Sequence, residues 1–486
     1  MSENLVTGMA CGVHRAPGQV RVVGPAEGDM RASMHVAFAI ALSQATSYDG
    51  PLPVPPSGWR SWNQLAGKID QKLLEDIMDG LVDRSRLVDG KPTSLLDLGY
   101  SRIGMDDGWQ ACGTGINGSF HAADGTPLWN TTAFPDVKAM NEKAHKLGLK
   151  SDWYINNCIC TEKLSKGFAQ AGNAKALAEL GFDGVKIDGC GVDHNVTEFV
   201  VAAEAALAGS RPLTVEDCND DPAWDRGSED TTAFYSTGCA ASGGGFYRIG
   251  GDIFGNWEAV IARVQQMWQY VQPTPWHEPL ARPGCWPTPD ALEVGCSRQG
   301  PLGHNATEAR SHMGLWAVTS SPLILGLDLR DKASVDFAWP IIANPETLAV
   351  NRAWPASYLH TNSTPSRLVA TDGIYYHGTL VNITWMVWAK NVSDGPDGNL
   401  TAVLLLNVGD TTQDVHVSLQ GVLPMAARGR PLQARDLWAR KDLGAVDDTT
   451  TWTAPALAPH DSVFVQFSAM AKAAEEEEVA AAVEQA

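Results

Sequence analysis

The chain has 486 residues, which rules out a single small module and fits two or three domains, or one barrel of about 250 residues with an addition. Its 36 Lys and Arg against 56 Asp and Glu give a formal net charge of -20, a field that opposes both phosphate backbones and anionic lipid, so nucleic acid is excluded as a partner. No run of 18 apolar residues occurs, so no membrane span is expected.

The first stretch with a recognisable signal is "MRASMHVAFAIALSQATS", residues 30 to 47, where Arg31 precedes a short apolar run and small residues follow. It begins 29 residues in, which favours reading Met1 to Asp29 as an upstream extension of the frame over an unusual leader. "YDGPLPVPPSGW" is a Pro-rich linker, and residues 1–56 are read together as leader, extension and linker. Residues 57–345 then alternate short apolar runs with helical patterns. The apolar runs are "GWRSW", "SRIGMDD", "LKSDWYI", "DGVKID", "PLTVED", "FYRIGGD", a poorly marked one before Asp290, and "SPLILG". Between them, stretches such as "QKLLEDIMDGLVDRSRL", "DVKAMNEKAHKLG" and "WEAVIARVQQMWQYV" repeat apolar residues at intervals of three and four. Eight such repeats predict an α/β fold, a (β/α)8 TIM barrel; an open doubly wound sheet would carry a Gly-rich phosphate loop after its first strand, and none is there. From 346 to 468 the pattern changes to strands and turns ("LTAVLLLNVGD", "QDVHVSL", "DSVFVQF"), which predicts a C-terminal antiparallel β-sandwich. Residues 469–486 form an Ala- and Glu-rich tail without a core face.

Eight N-x-S/T sequons occur, at Asn117, Asn130, Asn195, Asn305, Asn362, Asn382, Asn391 and Asn399, well above a chance number of about two or three. They point to the secretory pathway, with an extracellular or lysosome- or vacuole-like destination. Nine cysteines without zinc-like paired spacing agree with an oxidising compartment and disulfides.

Polar residues that close the apolar runs are the informative ones, because a barrel gathers its site at the C-terminal ends of its strands. Nearly every run ends on an acid or a base: Asp106 and Asp107, Asp152 with Tyr154, Lys186 and Asp188, Glu216 and Asp217, Arg248 and Asp252, and Asp290. A single Asp after a strand is more often a helix cap, but six strands repeating the pattern are not explained that way. Lys186 and Arg248 would compete with a cation at the centre, so no metal and no cofactor are expected. The set reads as a polyol pocket in which carboxylates accept from sugar hydroxyls, Arg and Lys donate, and Trp62, Trp109 or Trp153 covers the apolar ring face. Two facing carboxyl groups would supply what glycoside hydrolysis needs.

The motifs "GWRSWNQ", "LGYSRIGMDDGW", "FPDVKAMNEKAHKLGLKSDWY", "GFDGVKIDGCG", "YRIGGDI", "RPGCWPTPDALEVG" and "EARSHMGLWAVTSSPLILGLDL" run in order from about residue 57 to 330. Together they resemble glycoside hydrolase family 27, the α-galactosidase and α-N-acetylgalactosaminidase (melibiase) family. The resemblance implies a retaining exo-glycosidase acting on carbohydrate with terminal α-galactose. It makes Asp188 the nucleophile and Asp252 the general acid/base, with Trp62, Asp106, Asp107, Tyr154, Lys186, Arg248 and Asp290 as sugar contacts. Asp106 and Asp107 would grip O4 and O6, and Lys186 would assist Asp188 from the same strand face. An α-N-acetylgalactosaminidase, a β-L-arabinopyranosidase and an inactive sugar-binding protein on the same barrel are the alternatives. A homodimer is compatible with the sequence, which does not fix the oligomeric state.

Some positions depart from the family pattern. In "TVEDCNDD", Asn219 stands where the family carries an acid that reads the sugar's 2-position if Cys218 keeps register; otherwise Glu216 or Asp217 does the reading. Pro287 and Thr288 replace polar residues on the leaving-group side, and Gly108 stands where a cysteine often follows the Asp pair. The resemblance implies a Cys160–Cys190 disulfide, with Cys218–Cys239 and Cys285–Cys296 as further candidate pairings.

Overall fold

The computed structural model describes residues 52–156, 159–162, 167–189, 196–218, 245–253, 255–273, 279–297, 303–359, 364–376, 379–394 and 400–470. Residues 1–51 and 471–486, Cys158, Cys190, Asp193, His194, Asn195, Asn219, Cys239, Asn362 and Asn399 lie outside the described residues.

Eight parallel strands form one sheet: β1 (Ser57–Arg60), β2 (Arg102–Gly104), β3 (Lys150–Ile155), β4 (Gly184–Asp188), β5 (Thr214–Cys218), β6 (Gly245–Arg248), β7 (Cys285–Thr288) and β8 (Leu323–Leu325). They are hydrogen-bonded in chain order, and β8 returns to pair with β1. The circle closes where Leu292, just after β7, bridges Leu325, its N–H donating to Ile324 O at 2.7 Å. Each predicted apolar run overlaps one of these strands, and the poorly marked one before Asp290 is β7. This is the TIM-barrel arrangement.

The connecting helices start where the sequence supplies caps. In α1 (Gln71–Val82), α2 (Val137–Lys146) and α5 (Trp257–Val271), the N-cap Asp70, Asp136 and Asn256 accept from Leu73, Ala139 and Ala259 N–H respectively. Helix α6 (Ala306–Val318) has a capping box in which Asn305 and Glu308 satisfy each other's backbone. Helices α3 (Gln170–Leu180) and α4 (Val196–Leu207) follow β3 and β4, and α7 (Lys332–Ile342) and α8 (Pro345–Arg352) follow β8. Outward-facing strand residues such as Val185, Ile187 and Val215 join the helices in one buried apolar cluster.

The barrel interior is charged where branched apolar residues would ordinarily fill it. Arg102 makes a two-pronged pair with Asp152, its Nε donating at 2.7 Å. Space for that pair comes from Gly184, where a Cβ would lie 2.7 Å from Arg102 Nη2.

The C-terminal domain has a six-stranded antiparallel sheet in the order β9 (Ser366–Thr371), β10 (Trp385–Asn391), β11 (Leu400–Asn407), β16 (Ser462–Ala469), β13 (Leu432–Asp436) and β14 (Lys441–Val446). A two-stranded sheet of β12 (Gln413–Ser418) and β15 (Thr451–Leu457) accompanies it. Strand alternation gives the larger sheet two apolar faces. Val387, Ala389, Val403, Leu405 and Val465 form the sandwich core, whereas Met386, Trp388, Leu404, Leu406 and Phe464 belong to the barrel's own cluster. Lys390 lies on that barrel-facing side, fully buried, with Nζ donating to Ser320 Oγ, Asn351 O and Val350 O. Two of these acceptors are carbonyls in the last turn of α8, and burial pushes Lys390 well below the usual lysine range.

The disulfides differ from the expected pairings. Cys160 is bonded to Cys112, which ties the loop after β3 to the loop after β2. Cys218 is a free buried thiol, so it is not joined to Cys239; Cys285 is disulfide-bonded but Cys296 is free, so those two are not a pair. Cysteine identity alone carries no distance, and the pairing depends on which loops the barrel brings together.

Candidate active site

Side chains alternate along each strand, so the residues two apart from Gly184 in β4, Lys186 and Asp188, both enter the barrel interior. The same rule brings in Arg60 from β1, Asp106 beyond β2, Tyr154 from β3, Glu216 and Cys218 from β5, and Arg248 from β6. Register sets neighbours: Tyr154 lies beside Lys186, Lys186 beside Glu216, and Asp188 beside Cys218.

Four buried cations in the barrel interior each have a buried acid. Above the Arg102–Asp152 pair, Arg60 Nη2 donates to Glu216 Oε2 at 2.7 Å. Lys186 Nζ donates to Asp106 Oδ2 at 2.9 Å. Arg248 Nη1 lies 3.2 Å from Asp290 Oδ1, and its Nη2 donates to Asp252 Oδ1 at 3.1 Å. Burial works against the charge on Lys186, but the Asp106 carboxylate, with Cys218 and Glu216, raises it above the usual lysine range, so it stays an ammonium.

The rim of this stack holds the more exposed groups of the site. Asp188 is partly open; Gly189 N–H donates to its Oδ1 at 2.9 Å and the Tyr154 hydroxyl donates to its Oδ2. A phenol and a backbone amide thus donate to Asp188, while Lys186 donates to Asp106. Asp107 is half-buried, with an Oδ1 that has no hydrogen-bond partner among the described residues. Burial pushes Asp107 above the usual carboxylate range, with Asp106 and Asp188 adding to the shift and Gln110 and the Gly108 N–H opposing it. Trp62 is half-buried and donates a side-chain hydrogen bond to Asp252.

Asp252 and Asp290 share Arg248 but not an environment. The Asp252 side chain is 38% exposed, that of Asp290 11%. Burial opposes ionisation of Asp252, yet the Arg248 charge, Lys186, and the hydrogen bonds from Arg248 and Trp62 prevail and hold it below the usual range. Burial raises Asp290 despite Arg248, and Asp252 adds to the shift. Asp290 also sits at φ 142°, a conformation that non-glycine residues rarely adopt. Its Oδ2 accepts from Ile253 N–H at 2.8 Å and its Oδ1 from Ala291 N–H at 2.7 Å, so it pins the turn that carries Asp252.

The structure brings all nine expected site residues to one end of the barrel or its interior, and it corrects part of the pocket reading. Trp109 and Trp153 are fully buried in an aromatic stack with Trp129 and Phe182, and Trp109 Nε1 donates to Tyr154 O, so neither is open to a sugar. Of the three candidate tryptophans only Trp62 faces the opening. Glu216 is committed to Arg60, and strand alternation turns Asp217 away from the interior, so neither is placed as the 2-position reader. Cys218 keeps register opposite Asp188 and accepts from Arg248 at 3.5 Å. Sequence reasoning missed Arg60 and Asn156. The position of Arg60 in "GWRSW", two before Trp62, was the available signal.

Residues 54–353 match the family described as Alpha galactosidase A, and residues 383–467 match the Alpha galactosidase C-terminal beta sandwich domain. The chain belongs to the α-galactosidase (melibiase) family, glycoside hydrolase family 27. Among curated relatives, the α-galactosidase of Cyamopsis tetragonoloba is 29% identical over 79% of this chain and 79% of its own length. That of Coffea arabica is 29% identical over 79% of this chain and 86% of its own. Among solved structures, α-galactosidase I from Mortierella vinacea aligns with a TM-score of 0.62 at 23% identity, covering 87% of this chain and 100% of that one. A β-L-arabinopyranosidase from Geobacillus stearothermophilus aligns at 0.64 with 19% identity over 86% of this chain and 96% of its own.

The Arg60–Glu216 pair gives a direct check on the stacked interior. Removing one partner strands a buried charge, so Glu216→Gln is expected to lower the unfolding free energy by about 3 kcal/mol in a denaturant titration. A change below about 0.5 kcal/mol, the level of a surface substitution, would show that the pair is not the buried support described.

Proposed function

We propose that this chain is a retaining exo-α-galactosidase in which Asp188 is the nucleophile and Asp252 the general acid/base. The observation that carries the reading is the pair of carboxylates at the rim: Asp188 accepts from the Tyr154 phenol and the Gly189 amide, and Asp252, more open, accepts from a guanidinium and an indole. In the first displacement an Asp188 oxygen bonds to the anomeric carbon as the glycosidic C–O bond breaks, and the proton of Asp252 passes to the leaving oxygen. In the second, water bonds to the same carbon, its proton goes to Asp252, and the electron pair of the breaking bond returns to Asp188. Asp106, Asp107, Lys186 and Arg248 supply acceptors and donors for the sugar hydroxyls, Trp62 covers a ring face, and Asp290 positions Arg248 and the Asp252 turn.

This scheme needs Asp252 protonated when the leaving group departs, whereas Arg248, Lys186 and Trp62 favour its ionised form. A bound sugar resolves the conflict because it covers the exposed carboxyl, and burial favours the protonated form. The sign then follows: kcat/KM, which reports free enzyme, loses activity on the basic side at lower pH than kcat, which reports the complex. Trp62→Phe removes a donor to the ionised form and raises the free-enzyme value, so the basic limb of its kcat/KM profile should move up by about one pH unit. An unmoved limb would remove Trp62 from the account.

The substrate reading rests on family membership. Chromogenic α-galactoside, 2-acetamido-α-galactoside and β-L-arabinopyranoside assayed side by side on wild type and Asp188→Asn test it. Wild type should prefer the α-galactoside, and Asp188→Asn should lose about a thousandfold or more in kcat. Preference for another sugar would change the specificity; retained activity in Asp188→Asn would end the nucleophile assignment; no activity on any would favour a sugar-binding protein.

A secretory route, with an extracellular or vacuole-like destination, is supported by the sequons and the Cys112–Cys160 disulfide. Asn117 and Asn382 stand exposed on turns, whereas Asn391 uses its amide nitrogen to bond Tyr358. Peptide mapping of chain made in a eukaryotic host should find glycan on Asn117 and Asn382 and none on Asn391; bare Asn117 and Asn382 would count against the route.

A further inference from the structure

Asn156 has no part in the sugar-binding set, yet it is buried beside the proposed nucleophile. It follows β3, and the alternation that brings Asp152 and Tyr154 into the barrel interior brings Asn156 in as well. Its Nδ2 lies 2.8 Å from Tyr154 Oη, and the same phenol oxygen contacts Asp188 Oδ2. A phenol has one hydrogen to give. An ionised carboxylate has none, so the Tyr154 hydrogen must point at Asp188, and the contact on the other side must be donated by Asn156. The amide orientation is thereby fixed: Nδ2 faces Tyr154, and Oδ1 is buried without a partner among the described residues. A buried acceptor left unpaired is unfavourable, so Asn156 is not explained by its own hydrogen-bond satisfaction.

We propose that Asn156 is a positioning residue that locks the Tyr154 hydroxyl hydrogen onto Asp188, and so holds the nucleophile's carboxylate in one orientation through both displacements. The inference rests on the reading of Asp188 as nucleophile. Three further features fit it. Burial and the charges of Asp106 and Asp188 push the Tyr154 phenol far above its usual range, so it keeps the proton it donates. Lys186 Nζ lies 5.2 Å from the Tyr154 ring centroid and steadies the ring, and Trp109 Nε1 holds the Tyr154 carbonyl at 2.9 Å. The Gly189 N–H on the second oxygen fixes the other edge of the carboxylate. When the glycosyl ester breaks in the second step, charge returns to Asp188, and a donor already aimed at it needs no reorganisation.

The test is a double-mutant cycle on the full chain with a chromogenic α-galactoside. Asn156→Leu, similar in volume and unable to donate, should lower kcat about tenfold with KM within about twofold, because one aimed donor to developing charge is released. On a Tyr154→Phe background the same substitution should cost nothing further, since no hydroxyl remains to be aimed. Multiplied losses in the double variant would overturn the proposal, because a packing role does not depend on the hydroxyl. Should Asn156→Leu unfold below the assay temperature, Asn156→Asp decides: it keeps the shape but offers only acceptors, so kcat should fall at least as far, and wild-type kcat would overturn the proposal. Asp188→Asn in the same assay separates the two claims. Its retained activity would sink the nucleophile reading, whereas an inactive Asp188→Asn with a multiplicative cycle would sink only the role of Asn156.

Discussion

A guanidinium or ammonium taken out of water is costly, and a carboxylate within hydrogen-bonding distance is what best keeps it charged. The interior of this barrel contains four such cations, and their partners determine much of what surrounds them. Arg102 with Asp152 occupies the lower interior and makes glycine necessary at position 184. Arg60 with Glu216 and Lys186 with Asp106 come next, and Arg248 between Asp290 and Asp252 reaches the rim. Acids deep in the barrel are thus satisfied by its own cations. The most exposed carboxyl groups of the site are those at the mouth: Asp107, Asp188 and Asp252.

The same stack divides labour among residues that look alike in sequence. Lys186 and Asp188 lie two apart on one strand, but the ammonium donates to Asp106, while Tyr154 and Gly189 donate to Asp188. Asp252 and Asp290 share one arginine and are driven in opposite directions because one is open and the other buried. Such divergence between two carboxyl groups is how one site can present both a charged and a protonated acid at the same pH. The exposed member can respond to a ligand, while the buried one, on a strained backbone, anchors the turn.

Much of this was legible in the sequence because strand periodicity and strand ends are local signals. "GFDGVKID" specifies a strand, its inward face and its terminal acid from alternation alone, and "RIGGD" marks the second carboxyl. What was not legible depends on neighbours across the sheet. Nothing local distinguishes Trp62 at the opening from Trp109 and Trp153 in the aromatic stack. The commitment of Glu216 to Arg60 joins residues 156 positions apart, and the bond from Cys160 to Cys112 depends on two loops meeting above the barrel. Asn156 escaped notice because an Asn after a strand reads as a turn residue until its contact with Tyr154 is seen.

The central claim is that Asp188 becomes covalently bonded to the sugar. Incubation with a 2-deoxy-2-fluoro-α-galactosyl donor bearing a good leaving group, followed by peptide mass mapping, tests it most directly, because the fluorine slows breakdown of the glycosyl-enzyme. The account predicts one fluorogalactosyl adduct, carried on Asp188 of strand β4. An adduct on another carboxylate, or turnover of the donor with no adduct and with inverted product, would contradict it.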